Sequence, residues 1–83
     1  MKVNICGLPH EIVETVDGFG NDEIHLGQIV YKDLIIKINK DMPEIHKKET
    51  LCHEMVHGIL FHIGYSEYSQ DEQFVQALGN AIF

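Results

Sequence analysis

The segment Leu51–His57 most constrains what this chain can be, because it contains His-Glu-x-x-His within a stretch of helix-forming residues. In an α-helix, His53 and His57 project from the same face, one above the other, where two imidazoles can bind one metal ion. Glu54 lies about 100° round the helix, where its carboxylate can reach a water beside the ion without occupying a coordination position. The segment therefore predicts a metal site on a helix.

The chemistry typical of this pattern is metal-assisted hydrolysis of a peptide bond. Zinc lowers the pKa of its bound water towards about 7, and it polarises the carbonyl group that the water attacks. We therefore expect His53 and His57 to be Zn²⁺ ligands and Glu54 to be the catalytic general base. The alternative is an accidental spacing of two histidines without a metal, since the chain contains 6 His.

A third ligand must come from elsewhere in the chain, because a catalytic zinc usually has three protein ligands and one open position. Three acidic residues downstream of the motif are candidates, namely Glu67, Asp71 and Glu72. A second, antiparallel helix packed on the first would bring such residues beside His57. Asp71 lies nearer than Glu72 to the centre of that helix's predicted apolar face. Both residues also suit a helix N-terminus without any metal, because the helix dipole favours negative charge there.

Composition limits the classes of partner and compartment. The formal net charge is -7 with only 6 basic residues, which argues against a nucleic-acid or anionic-membrane surface. No stretch has the length of a membrane-spanning helix, and the first residues do not resemble a secretion signal. Cys6 and Cys52 lie far apart and do not form a secreted disulfide framework. We therefore expect free, half-buried thiols in a cytoplasmic protein.

The hydrophobic pattern predicts one α+β domain over residues 1–83, with about four antiparallel strands followed by two helices. The strands are rich in Val and Ile, and they are predicted at residues 2–6, 11–16, 28–31 and 34–39. Turns are predicted at residues 7–9 and 32–33, and a surface loop at residues 17–22. Leu34, Ile36 and Ile38 alternate onto one face, as a half-buried strand requires.

The first helix is predicted to begin at Pro43-Glu44 and to end at Ile63, with Gly64 as its stop. Its core-facing residues recur at helical spacing, and they are Cys52, Met55, Val56, Ile59 and Ile63. Gly58 costs about 1 kcal/mol relative to Ala in mid-helix, which indicates close packing there. A short connection at residues 65–70 leads to a second helix at residues 71–83. Its predicted apolar face consists of Phe74, Val75, Leu78, Ala81 and Ile82.

The segment from Thr50 to Ile59, followed by the segment from Glu72 to Leu78, resembles the small zinc peptidase domains of phages and mobile elements. These domains are related to the ImmA/IrrE-type peptidases and, more loosely, to the gluzincins. In that group, the third zinc ligand is a Glu on the helix after the motif helix, with apolar residues two and six positions further on. The resemblance therefore implies Glu72 as the third ligand, followed by Phe74 and Leu78. The order of elements also matches, so the resemblance spans most of the chain.

Several residues are candidates for supporting roles. A donor for the developing oxyanion is expected, and the candidates are His46, His62, Tyr65 and Tyr68. Gln76, one turn after Glu72, can hydrogen-bond a ligand histidine or can be a solvated surface residue. The sheet edge that pairs with an extended peptide substrate is expected at residues 34–39 or at their hairpin partner.

Two other functions are compatible with the sequence. One is a non-catalytic regulatory or binding module of a phage or mobile element, in which zinc only joins the two helices. A fourth protein ligand closing the site would support that function. The other is a small acidic fold without metal. The sequence also leaves open a separately encoded regulatory protein partner, alongside a peptide or protein substrate.

Overall fold

The computed structural model describes residues 1–16 and 26–83, so the loop predicted at residues 17–22 lies outside the described residues. The predicted α+β class is confirmed, since a four-stranded sheet precedes a long helix and a shorter C-terminal helix. The elements in chain order are β1 (Lys2–Ile5), β2 (Leu8–Thr15), β3 (Gly27–Val30), β4 (Ile35–Asn39), α1 (Glu44–His62), α2 (Ser66–Ser69) and α3 (Glu72–Ile82).

The sheet is mixed, with strand order β1-β2-β4-β3. The pairs β1–β2 and β3–β4 are antiparallel, whereas β2 and β4 are parallel. The prediction of an antiparallel sheet is therefore correct for the outer pairs and wrong for the central pair. The physical reason lies in β4, whose Ile36 and Ile38 are only 0% and 2% exposed. This most buried strand lies between β2 and β3, which leaves its hairpin partner β3 at the edge.

Both turns differ from the prediction by a few residues. The turn between β1 and β2 consists of Cys6 and Gly7, with φ angles of 54° and 81°. Such a pair of positive φ angles suits a tight hairpin, and Leu8 and Pro9, predicted in the turn, begin β2 instead. The loop between β3 and β4 spans residues 31–34, and Leu34 has a φ of 53° in this turn. Leu34 is therefore not part of the strand face that was predicted to include it.

Helix α1 packs on one face of the sheet. Its mid-helix Gly58 is buried, and a Cβ there would lie 2.9 Å from Ile29 Cδ1 and 3.0 Å from Ile5 Cδ1. The close packing predicted at Gly58 is thus confirmed. Of the predicted core stripe, Val56 is buried, whereas Ile63 is 52% exposed because it follows the last residue of α1. The stripe's remaining members are half-buried, and they are Cys52, Met55 and Ile59.

Helix α3 packs on α1 and α2, and its Val75 is buried with Val56 and Leu60 of α1. Val75 is the only buried member of the predicted apolar face, since Phe74, Leu78 and Ile82 are 38%, 37% and 60% exposed, and Ala81 is also exposed. The helix instead faces α1 through Val75 and Gly79, one turn apart. The segment predicted as a plain connection contains the short helix α2.

The described residues contain no helix long and apolar enough to cross a membrane. The two cysteines are both free, as predicted. Cys52 is half-buried, but Cys6 is exposed because it lies in the β1–β2 turn.

Candidate metal centre

Helices α1 and α3 approach each other closely at Gly79. A Cβ on this residue would lie 3.2 Å from the Cα and 3.4 Å from the N of His53. Glu72 precedes Gly79 by about two helical turns and so lies on the same face of α3. The contact at Gly79 therefore directs the Glu72 side chain towards the histidines of α1.

The three predicted ligands meet between these two helices. Oε2 of Glu72 lies 3.0 Å from Nε2 of His53, and Oε1 lies 3.0 Å from Nε2 of His57. The two imidazole rings are 4.9 Å apart at an interplanar angle of 68°. One potential ligand atom from each of the three residues falls within 4.8 Å of the others. The structure thus brings His53, His57 and Glu72 together at one point.

The other acidic candidates have different surroundings. Asp71 is the N-cap of α3, and its Oδ1 accepts a hydrogen bond from the backbone N–H of Phe74 at 3.1 Å. This contact is a standard way to satisfy a helix N-terminus and uses the Asp71 carboxylate without a metal. Glu67 is exposed on α2. Among the residues that the structure describes, only His53, His57 and Glu72 form a group of potential metal ligands.

The site is half open to solvent. The side chains of His53 and His57 are 17% and 12% exposed, whereas that of Glu72 is 70% exposed. Burial lowers the pKa of His57, and the neighbouring Glu72 carboxylate opposes this by raising it. Burial is the larger effect, so His57 favours the neutral imidazole, which is the form that binds a metal.

The donor set fits a zinc ion. Two histidine nitrogens and one glutamate oxygen form a known ligand set of catalytic zinc sites. Ligand atoms about 2.0–2.1 Å from a tetrahedral zinc are about 3.4 Å apart, so the 3.0 Å contacts of Glu72 need to widen by only a few tenths of an ångström. Without a metal ion, each Nε2 can make this contact only as an N–H donor to the Glu72 carboxylate.

Glu54 follows His53 in α1 and is buried, with 7% exposure. It faces the edge strand β3, where a Cβ on Gly27 would lie 3.2 Å from Glu54 Cγ. The pKa of Tyr31 is raised chiefly by burial and further by the carboxylates of Glu54 and Glu72, while a hydrogen bond with Ser69 lowers it. Glu54 directly follows His53 in α1, so it lies about 100° round the helix from that ligand.

Sequence reasoning missed two residues of this site, Tyr31 and Ser69. Their hydroxyl groups lie 3.2 Å apart, although the residues are 38 positions apart in sequence. The Ser69 hydroxyl also lies 3.3 Å from Nδ1 of His57 and donates to the backbone carbonyl of His57 at 3.1 Å. The only available signal was a tyrosine at the end of the strand predicted at residues 28–31.

The other predicted supporting residues are not among the contacts of the ligand group. His46, Tyr65 and Tyr68 are exposed. His62 is half-buried at the end of α1 and packs edge-on against Phe61. Gln76 donates a hydrogen bond within α3 rather than to a ligand histidine.

Two imidazole nitrogens and one carboxylate thus converge between α1 and α3, with a hydroxyl pair behind His57. This arrangement is a candidate metal centre whose Glu72 side chain is exposed to solvent. No protein-family model, curated protein or solved structure matches this chain.

Proposed function

We propose that this protein is a zinc-dependent peptidase in which His53, His57 and Glu72 bind the ion and Glu54 is the general base. The observation that carries the proposal is the position of the Glu72 carboxylate, which lies 3.0 Å from Nε2 of both histidines. The resemblance of the motif region to the small phage-type and ImmA/IrrE-type peptidases supports the same assignment.

The number of ligands favours a catalytic centre over a structural one. Structural zinc sites are closed by four protein ligands, whereas catalytic sites keep one position open. The described residues supply three ligands, and the 70% exposure of the Glu72 side chain leaves the group open to solvent. A substrate carbonyl can therefore approach from this side.

A zinc ion bound here supplies two effects, acidification of water and polarisation of a carbonyl group. Glu54 then takes the proton from the attacking water on its carboxylate and passes it to the leaving amine. Burial of Glu54 against Gly27 limits the side chain to few positions, which suits a general base that is not itself a ligand.

Strand β3 is the proposed binding edge for the peptide. The expected edge at residues 34–39 is the central strand β4, and its hairpin partner β3 lies at the end of the sheet. Within the described residues, β3 pairs only with β4, so its other side can form main-chain hydrogen bonds with an extended peptide. Because Glu54 packs against Gly27 of β3, a peptide on this edge passes close to the proposed base.

The test compares Glu54→Gln with the parent. We expect both proteins to contain about one zinc per chain by elemental analysis, whereas Glu54→Gln loses cleavage of a mixed-sequence, fluorescence-quenched peptide library. Glu49→Gln is the matched control, because the Glu49 side chain is on the same helix and is 41% exposed. A Glu54→Gln protein that cleaves as fast as the parent contradicts the mechanism.

The same measurements separate the alternatives. One zinc per chain without any cleavage by the parent would identify a non-catalytic module in which the ion joins α1 and α3. No zinc, and no stabilisation on adding zinc, would identify a small acidic fold with an accidental motif.

A further inference from the structure

The hydroxyl of Ser69 occupies a buried position directly behind His57. Ser69 is 5% exposed, and three polar groups surround its Oγ. The Tyr31 hydroxyl lies at 3.2 Å, Nδ1 of His57 at 3.3 Å, and the backbone carbonyl of His57 at 3.1 Å. A serine hydroxyl has one proton to donate and two lone pairs that accept, so it can satisfy all three contacts at once.

One set of hydrogen-bond directions satisfies all three contacts together. A carbonyl oxygen only accepts, so Ser69 donates its single proton to the carbonyl of His57. The other two contacts are then made by donors, the O–H of Tyr31 and the Nδ1–H of His57. A neutral imidazole with its proton on Nδ1 has its lone pair on Nε2, and this nitrogen lies 3.0 Å from Oε1 of Glu72, so the arrangement needs a proton or a metal ion between the two atoms.

We propose that Ser69 is a positioning residue that holds the Nδ1-protonated form of His57 and so presents the Nε2 lone pair to the zinc ion. This inference rests on the proposed function, because it assumes that zinc binds at Nε2 of His57. Hydrogen bonds to the outer nitrogen of a zinc-bound histidine fix the ring's orientation and make it a better ligand.

Tyr31 keeps Ser69 in this arrangement. Its ring stacks on Phe61 near the end of α1, with centroids 4.0 Å apart and an interplanar angle of 16°. The phenol is therefore held in place, and its O–H approaches Ser69 from a fixed direction. By donating to Ser69, it leaves the serine proton for the backbone carbonyl of His57.

His53 provides an internal comparison. Its Nδ1 is buried and has no hydrogen-bond partner among the described residues. The two proposed zinc ligands therefore differ, since within residues 1–16 and 26–83 only His57 of the two has a hydroxyl group at its Nδ1. Removal of the Ser69 hydroxyl should change the environment of His57 and leave that of His53 unaltered.

The first measurement is zinc affinity, by competition with a chromophoric chelator. We expect Ser69→Ala to bind zinc about 10–100-fold more weakly than the parent. Tyr31→Phe should cause a smaller loss, because Ser69 still accepts from His57. Ser66→Ala is the matched control, since Ser66 is exposed on the same short helix. Melting curves of the metal-free proteins show whether Ser69→Ala is folded.

The second measurement is a long-range ¹H–¹⁵N correlation spectrum of the imidazoles in the zinc-loaded parent and in Ser69→Ala. It does not depend on activity. We expect a slowly exchanging Nδ1 proton on His57 in the parent that exchanges rapidly in Ser69→Ala, with the His53 signals unchanged.

Unchanged zinc affinity in Ser69→Ala, an unchanged His57 Nδ1 proton, or coordination through Nδ1 of His57 would overturn the inference. If the inference about Ser69 fails but Glu54→Gln still abolishes cleavage, the proposed function stands without a role for Ser69. A parent protein that binds no zinc would overturn both.

Discussion

The contact between α1 and α3 at Gly79 can be tested by Gly79→Ala. Alanine is favoured over glycine within a helix by about 1 kcal/mol, so the substitution would stabilise an isolated α3. The added Cβ, however, would lie 3.2 Å and 3.4 Å from backbone atoms of His53. Backbone atoms cannot rotate away as a side chain can, so α3 must withdraw by a few tenths of an ångström.

Overpacking of this kind costs about 1–3 kcal/mol. The net change, after subtracting the helix-propensity gain of about 1 kcal/mol, is a loss of about 0–2 kcal/mol in the free energy of unfolding. A loss of 1 kcal/mol lowers Tm by about 4–8 °C in a domain of this size. Withdrawal of α3 also moves Glu72 away from His53 and His57, so zinc affinity should fall together with Tm.

The assay is thermal unfolding of the metal-free protein, followed by zinc competition. Ala77→Gly is the control, because Ala77 is exposed on α3 and the change measures helix propensity alone. If Gly79→Ala melts above the parent and binds zinc equally well, the gain in helix propensity outweighs any cost of overpacking. The backbone contact between the two helices, and the positioning of Glu72 that depends on it, would then be refuted.

Two further predictions concern pH and the edge strand. Burial lowers the pKa of His57 below its ordinary 6.5, so on acidification the unfolded chain takes up this proton first. The metal-free protein should therefore lose stability as pH falls below about 6.5, and His57→Gln should flatten that dependence in melting curves. Gly27→Ala places a Cβ 2.6 Å from Thr50 Cγ2 and 3.2 Å from Glu54 Cγ, which should cost about 1–3 kcal/mol and slow peptide cleavage. Thr50→Ser removes Cγ2, the atom closest to the added Cβ, so the double variant Gly27→Ala/Thr50→Ser should regain stability in the same melts. If stability does not recover, the close packing of Gly27 against Thr50 is contradicted.

The parts of the fold that local periodicity determines were predictable from the sequence. The extent of α1 follows from Pro43 and Gly64, and the alternation of Ile36 and Ile38 marks β4 as a buried strand. The parallel pairing of β2 with β4 was not predictable in this way, because consecutive hairpins suggest antiparallel neighbours. Strand order depends on which strand is best buried between two others, and no single segment contains that information.

In the candidate site, too, the features of a single helix were predictable and those that depend on tertiary packing were not. The i, i+4 spacing of His53 and His57 is a property of one helix, so it could be predicted. Helical spacing favoured Asp71 because the apolar face of α3 was assumed to face α1. The helix instead faces α1 through Val75 and Gly79, since a glycine allows closer approach than the larger Leu78. Ser69 was not predicted, because its environment arises only from tertiary packing.

The position of α3 on the outside of the fold has a consequence for local opening. Among the described elements, α3 contacts α1 and α2 but no strand, whereas α1 also contacts three strands of the sheet. Cooperative units with few buried contacts open at lower free energy than the core does, as hydrogen exchange shows in many proteins. An ion held by both helices would raise the opening free energy of α3 by about 2.7 kcal/mol at a free zinc concentration 100 times Kd. Zinc availability would then determine the fraction of molecules in which the C-terminal helix is open. That fraction in turn would determine how readily a protease cleaves this end of the chain.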